Sequence, residues 1–160
     1  PNKATATYDE NFIPAENKCT RNGYTFAGWA VSGTNDTKTA GTAFKWQYTS
    51  DKTLTAQWTA NPYTVTYDSN KPASASGSVS GSTADSNHTY DTATTLTSNG
   101  YSLTGWTFNG WNTAANGTGT SYANGASVTK LATSGTTTLY AQWTKNASNK
   151  YTVRFNKNNN

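Results

Sequence analysis

The feature that most constrains this chain is an internal duplication. The segment Gly-Tyr-Thr-Phe-Ala-Gly-Trp at 23–29 matches Gly-Trp-Thr-Phe-Asn-Gly-Trp at 105–111. Later in each copy, Leu-Thr-Ala-Gln-Trp-Thr at 54–59 matches Leu-Tyr-Ala-Gln-Trp-Thr at 139–144. An opening segment occurs three times, at 5–9, 64–68 and, more loosely, 152–156. Because such self-similarity is typical of repeat proteins, successive copies of one small unit are predicted.

The lengths of the copies set the predicted domain boundaries. The number of residues between the two paired tryptophans is nearly equal in the two copies, whereas the second copy has additional residues at 71–97. The part at 71–87 is rich in Ser, Gly and Ala and is predicted to be a flexible loop. Pro62 cannot donate to a sheet ladder, so the preceding strand should end before it. We therefore expect a shortened repeat at 4–60, a full repeat at 61–145, and the opening strand of a truncated third repeat at 150–160.

Alternation of side chains predicts half-buried strands. Apolar and polar residues alternate at 63–68, 139–144 and 151–156, which places one face of each strand in the core and one in water. Residues 88–96 form a further candidate strand. Only 44–50 and 126–132 have room for a short helix. The predicted class is mostly β, α+β at most, with little helix.

Two glycines interrupt the alternation directly before a tryptophan. Phe26 and Gly28 have one parity and Trp29 the other, and the same holds at Gly110 and Trp111. A β-bulge at each glycine would turn the following indole into the core. Leu, Ile and Val are scarce and the chain has 6 Trp, 10 Tyr and 5 Phe, so an aromatic core is predicted.

Composition argues against nucleic-acid binding and membrane insertion. The formal net charge is +4, but Lys and Arg are scattered singly instead of gathered in a stripe. No apolar run approaches the ~18 residues of a membrane helix. Cys19 is the single cysteine, so no intrachain disulfide forms, and no Cys/His cluster has the spacing of a metal site.

Residues that could perform catalysis are few. His88 lies in a polar Asn-His-Thr context and is predicted to be solvated. A nucleophilic Cys19 would need this histidine as its base, across two repeat units, and is not expected. The acidic residues contain no spaced pair typical of glycosidases. Asp9 and Asp68 close equivalent segments, where a turn is favoured over a calcium site. We predict no catalytic residue, cofactor or metal.

Together these motifs resemble the Listeria-Bacteroides repeat, also described as the internalin B-type repeat of bacterial surface proteins. The successive parts of the family pattern match residues 63–67, 105–111, 119–122 and 139–144, in the same order. The resemblance implies tandem, small β-grasp-like domains on secreted or wall-attached bacterial proteins, without catalytic residues. It also implies structural roles for six residues: Trp29, Trp58, Trp111 and Trp143 as core aromatics, and Gly28 and Gly110 as the positions that admit them.

The expected function is that of a non-enzymatic spacer, stalk or adhesion module, located outside the cell or on its surface. Its expected partners are neighbouring repeats of the same chain and a host or cell-surface protein or glycan. The alternative is a carbohydrate-binding module, with Trp46, Trp106 and Tyr140 as the candidate sugar-stacking residues. The alternating segment at 151–156 would pair within the chain or, by strand addition, with another molecule.

Overall fold

The computed structural model describes residues 3–148 and 152–156, and within them every regular element is a strand. The predicted mostly-β class is therefore confirmed. Aromatic and β-branched side chains such as Phe44 and Val128 lose rotamer freedom in a helical turn but fit a pleated surface, which explains why the two candidate helical stretches hold short strands instead. Residues 3–148 and 152–156 contain no helical segment that could span a bilayer. The β-grasp plan stays a prediction of the resemblance.

The chain divides into two compact units. Unit 1 comprises Pro1–Val65, Ser86–Thr95 and Ser127–Thr137, and unit 2 comprises Thr66–Asp85, Leu96–Ala126 and Thr138–Asn160. The strands are β1 (Asn11–Phe12), β2 (Tyr24–Val31), β3 (Thr37–Lys38), β4 (Phe44–Lys45), β5 (Leu54–Ala60), β6 (Pro62–Asp68), β7 (Ser80–Gly81), β8 (Ser86–Thr89), β9 (Thr94–Thr95), β10 (Tyr101–Ser102), β11 (Trp106–Asn112), β12 (Ser121–Tyr122), β13 (Ser127–Val128) and β14 (Gly135–Lys145).

Unit 1 is organised around β2, which lies between β3 and β5 in an antiparallel sheet. Three further antiparallel pairs belong to this unit: β1 with β4, β9 with β13, and the first residues of β6 with β8. The alternation predicted for β6 is present, since Tyr63 and Val65 are buried between more exposed neighbours. Val31 and Val128 are buried as well.

Unit 2 is organised around β11, which pairs antiparallel with β12 and with β14. β7 and β10 form a separate antiparallel pair. Leu139 and Ala141 of β14 are fully buried, as alternation predicts, and Leu103, which follows β10 in sequence, is buried too. The segment predicted as a flexible loop contains β7 and the buried Ala75 and Thr83.

The terminal repeats of the opening motif differ from the strand at 64–68. Residues 5–7 belong to no strand and Asp9 lies in a turn with φ of 61°, so the prediction of an opening strand at 5–9 is wrong. A matching sequence is not sufficient to form a strand, because the strand at 64–68 is also held by the pairing of β6 with β8. Residues 152–156 also form no strand, and Phe155 is 93% exposed. The rest of the predicted third segment lies outside the described residues.

Candidate functional site

The same cluster of three aromatic rings is built twice. Each cluster has one phenylalanine and two tryptophans: Phe26, Trp29 and Trp58 in unit 1, and Phe108, Trp111 and Trp143 in unit 2. In the first cluster the phenylalanine centroid lies 5.2 Å and 5.7 Å from the two indoles, and in the second 5.0 Å and 5.8 Å. All four pairs meet edge to face, a geometry that stabilises by about 0.5–1.5 kcal/mol a pair beyond area burial.

A β-bulge at each predicted glycine produces these clusters. The β2–β5 register shifts between Phe26 and Gly28, and the β11–β14 register shifts between Phe108 and Gly110. The glycine φ angles are 134° and 124°, which residues with a Cβ rarely adopt. A Cβ on Gly110 would also lie 2.6 Å from the carbonyl oxygen of Tyr122. The skipped residue places each following tryptophan beside its phenylalanine, so the predicted bulges are confirmed.

The four tryptophans assigned to the core differ in burial. Trp111 is 0% exposed, and the other three are half-buried. Trp29 donates its indole N–H to the carbonyl of Ala15 over 2.9 Å, and Trp143 donates to Ser69 over 2.8 Å. The indole nitrogen of Trp111 has no hydrogen-bond partner among the described residues. Leaving such a donor unpaired costs about 1–3 kcal/mol, which ring packing at Trp111 must offset.

The three candidate sugar-stacking residues are all half-buried. Trp46 packs inside an aromatic cluster of unit 1, with centroid distances of 5.1 Å to Phe12 and 5.0 Å to Tyr48. Much of its ring is therefore occupied by its own unit. Trp106 and Tyr140 lie in unit 2, at the start of β11 and in β14.

A cavity of about 260 Å³ lies beside Trp143 in unit 2. Its lining includes the polar side chains of Asn70, Lys71 and Gln142. The Asn70 amide nitrogen donates to the carbonyl of Ala141 over 2.9 Å, which fixes that side chain. Trp143 also lines this cavity, so an aromatic residue and hydrogen-bonding residues occur together there.

The prediction of a solvated His88 is wrong. Its side chain is 3% exposed and stacks on the ring of Tyr63 with centroids 5.2 Å apart. Nε2 lies 2.8 Å from the Ser86 hydroxyl, and Nδ1 has no partner among the described residues. Burial lowers the pKa of His88 below its ordinary value of 6.5. The polar neighbours of His88 in the sequence predict an exposed residue, but in β8 its side chain points into the core.

Hydrogen bonds between a side chain and the backbone two residues away surround Cys19 and Asp68. Cys19 is exposed, and its backbone N–H and carbonyl are both bonded to the Asn17 side chain. Asp68 accepts the backbone N–H of Asn70 over 2.6 Å, so the turn favoured for Asp68 is confirmed. Among the residues that the structure describes, no three His, Cys, Asp or Glu side chains are grouped as metal ligands would be.

Asn61 makes four hydrogen bonds within unit 1, at the boundary between the two sequence repeats. Its N–H donates to the Gly23 carbonyl over 2.9 Å, and its carbonyl accepts the N–H of Tyr90 over 2.9 Å. Its side chain accepts the Thr25 hydroxyl over 2.6 Å and donates to the Thr133 carbonyl over 3.0 Å. This asparagine therefore ties residues of both repeats together.

A cluster of charged and aromatic side chains surrounds the same place. The Tyr24 hydroxyl donates to Asp91 over 2.8 Å, and its ring meets the Tyr90 ring with centroids 5.6 Å apart. Lys130 forms an ion pair with Asp91 at 3.1 Å. The hydrogen bond from Tyr24, followed by that from Lys130, lowers the pKa of Asp91 below its ordinary 3.8.

Sequence reasoning missed Asn61 and the Tyr-Asp pair at 90–91. A usable signal was present, because both tryptophan motifs are followed by an asparagine at the same distance, Asn61 after Trp58 and Asn146 after Trp143. Extending the comparison of 54–59 with 139–144 by two residues would have found Asn61.

Comparison with known proteins gives one family and several relatives. Residues 2–57 and 63–142 match the family model described as the Listeria-Bacteroides repeat domain. Internalin H of Listeria monocytogenes serovar 1/2a is 35% identical over 79% of this chain and 20% of its own length. In Evansella cellulosilytica, a putative Gly-rich membrane protein is 33% identical over 91% of this chain and 16% of its own length. A putative membrane protein of the same organism is 36% identical over 79% of this chain and 18% of its own length.

The chain thus spans about a fifth or less of the length of the curated relatives it matches. No solved structure matches it significantly.

Proposed function

We propose that this chain, which belongs to the Listeria-Bacteroides repeat family, serves as a non-catalytic spacer or adhesion segment of a bacterial surface protein. The observation that carries the proposal is the duplicated aromatic cluster, in which centroid distances agree within 0.2 Å between copies. A protein with a single catalytic site gains no activity from a second copy of its aromatic core. A spacer gains length with each copy, because reach in repeat proteins grows by addition.

The relatives support a surface location. Internalin H and two putative membrane proteins are all bacterial, and each is several times longer than the matched segment. A segment of this size inside a long protein is suited to holding another part of that protein away from the cell. We place the chain outside the cell, in a secreted or surface-attached protein, with neighbouring repeats as its first partners and a host protein or glycan as a further one.

Surface display tests the spacer function. One, two or three copies of the whole chain are inserted between a cell-wall anchor and a terminal epitope, and epitope height is measured by super-resolution microscopy. Height is expected to rise by a constant increment with each copy. The matched control carries Trp111→Ala in every copy, which should destabilise unit 2 and make the height rise less than linearly with copy number, as it does in a flexible chain. Epitope height that does not change with copy number would contradict the proposal.

Glycan binding is a second candidate function, favoured by the polar cavity beside Trp143. Affinity gels containing bacterial or host polysaccharides should then retard the protein. Retardation should be lost in Lys71→Ala or Gln142→Ala with thermal unfolding unchanged. Loss in Trp106→Ala instead would place the site on the predicted stacking residue, and migration unaffected by every gel would remove this candidate.

A further inference from the structure

We propose that the surface formed by Gly105, Trp106, Thr107 and Asn146 binds the Tyr8-Asp9 turn of a second copy of this chain, head to tail. The inference rests on the proposed spacer function and specifies how one copy in such a spacer is held against the next. In unit 1, an equivalent surface is already covered by a Tyr-Asp turn of the same chain.

Two equivalent surfaces exist in the molecule. The first Gly-Asn surface consists of Gly23, Tyr24, Thr25 and Asn61, and the second Gly-Asn surface consists of Gly105, Trp106, Thr107 and Asn146. In both, the asparagine N–H donates to the glycine carbonyl over 2.9 Å and the threonine hydroxyl donates to the asparagine side chain over 2.6 Å. The backbone N–H of the aromatic residue, Tyr24 or Trp106, donates to the carbonyl three residues earlier and so closes a turn, over 3.0 Å and 3.1 Å. The two surfaces therefore have the same backbone construction.

Within the part of the chain that the structure describes, the first surface is covered and the second is not. Gly23 is buried, and a Cβ built on it would overlap the ring of Tyr90. Gly105 has nearly the same φ, 79° against 77°, yet it is exposed and a Cβ there would meet nothing within 4 Å. Asn61 is half-buried under the same cover, whereas Asn146 is exposed. The second surface thus has the shape of the first without the ring that lies on it.

The element that covers the first surface also has an equivalent. The second Tyr-Asp turn, residues 89–92, covers Gly23, and the first Tyr-Asp turn, residues 7–10, has the same construction. The aspartate φ angles are 63° and 61°, and each turn closes with an N–H to carbonyl bond, of 3.1 Å and 3.2 Å. Each aspartate N–H donates across to another segment, over 2.7 Å and 2.8 Å. Each aspartate also forms an ion pair with a lysine, at 3.1 Å and 3.2 Å.

Tyr8 is exposed where Tyr90 is packed. Its side chain is 59% exposed, among the most exposed large hydrophobic groups of the described residues. Residues 3–148 and 152–156 therefore contain one Gly-Asn surface covered by a Tyr-Asp turn, one exposed Tyr-Asp turn and one uncovered Gly-Asn surface. Complementary surfaces at different places on one molecule give head-to-tail association, which extends as an open array when the rotation between copies does not close a ring. This geometry suits an array that extends by addition.

The second surface can reproduce the contacts of the first. Asn146 has the carbonyl and side-chain amide that Asn61 uses to bind Tyr90 and Thr133. Trp106 replaces Tyr24 but keeps a donor, since its indole N–H can bond the Asp9 carboxylate as the Tyr24 hydroxyl bonds Asp91. A second copy is the occupant of choice because it offers Tyr8 uncovered, while its Tyr90 already lies on its own Gly23.

The test uses two whole copies fused in tandem, which raises the effective concentration of the two surfaces. Only the second copy is labelled with ¹⁵N by segmental ligation, and hydrogen exchange of its Tyr8 amide is compared with that in the single chain. By analogy with Tyr90, this amide should bond to Asn146 of the first copy. Its exchange is expected to slow about tenfold or more.

Matched variants locate the effect. The decisive pair is Gly105→Val in the first copy, at the junction, against Gly105→Val in the second copy, at the free end. Both carry the same backbone strain, and only the first should restore fast exchange of Tyr8. Equal exchange of the Tyr8 amide in the tandem and single chains would overturn the inference, as would equal effects of the two variants.

The outcome is separable from that of the spacer test. A flexible junction would overturn docking and still allow epitope height to rise with copy number. Slowed Tyr8 exchange without any rise in epitope height would overturn the spacer function and leave docking intact.

Discussion

Replacing Gly23 or Gly105 by alanine separates the cost of backbone strain from the cost of the covering ring. Both glycines have left-handed backbone, with φ of 77° and 79°, so an added Cβ costs about 1–2 kcal/mol at either position. At Gly23 the methyl group also overlaps the Tyr90 ring, and overpacking of this kind costs about 1–3 kcal/mol more. We therefore expect Gly23→Ala to lower the free energy of unfolding by about 2–5 kcal/mol and Gly105→Ala by about 1–2 kcal/mol.

Urea unfolding followed by tryptophan fluorescence measures both variants under the same conditions. A Tyr90→Ala background provides the control, because without the ring the two glycine substitutions should have nearly equal costs. Equal costs in the parent chain would refute the reasoning, since they would mean that the ring of Tyr90 does not lie against Gly23. A difference that survives in the Tyr90→Ala background would refute it too.

Three further predictions concern other residues of the described structure. Because the pKa of His88 is lowered in the folded state, the unfolded chain takes up a proton at this residue first as the pH falls, so stability is full above pH 6.5 and decreases below it by up to about 1.4 kcal/mol per pH unit. Urea midpoints measured from pH 8 to 5 should show this slope in the parent chain and lose it in His88→Gln. An unchanged slope in His88→Gln would assign the pH dependence to another group. Asn61→Ala removes two side-chain hydrogen bonds, and Asn146→Ala removes one among the described residues, at about 0.5–1.5 kcal/mol each. Calorimetry should show the larger loss of stability for Asn61→Ala, and the reverse order would contradict the contacts assigned to Asn61. Trp111→Ala should lower the free energy of unfolding by about 3–5 kcal/mol because the side chain is fully buried. Trp29→Ala, at the half-buried equivalent position, should lower it by less. Chemical denaturation that ranks the two variants the other way would show that the difference in burial has no energetic consequence.

Local patterns explain much of the fold. Strand parity is a property of a few consecutive residues, so alternation at 63–68 and 139–144 predicts which side chains of β6 and β14 are buried. The bulges at Gly28 and Gly110 are local in the same sense, because a break in parity before a tryptophan is visible in the sequence. The repeated motifs likewise predict that both aromatic clusters have one geometry.

Contacts between distant segments decide the rest. His88 has the polar neighbours of a surface residue, and only the pairing of β8 with β6 brings it against Tyr63. Residues 5–9 match 64–68 in sequence, but their turn corresponds in structure to residues 89–92.

The sequence by itself therefore determined the repeats, the mostly-β class and the faces of the longer strands, because these depend on side-chain parity and backbone preference over a few residues. The tertiary structure alone decided which of the two equivalent Gly-Asn surfaces is covered. Gly23 is buried and Gly105 is exposed because a tyrosine from a distant part of the chain packs on the first and not on the second. Burial is a property of what packs against a residue, and no local pattern specifies that partner.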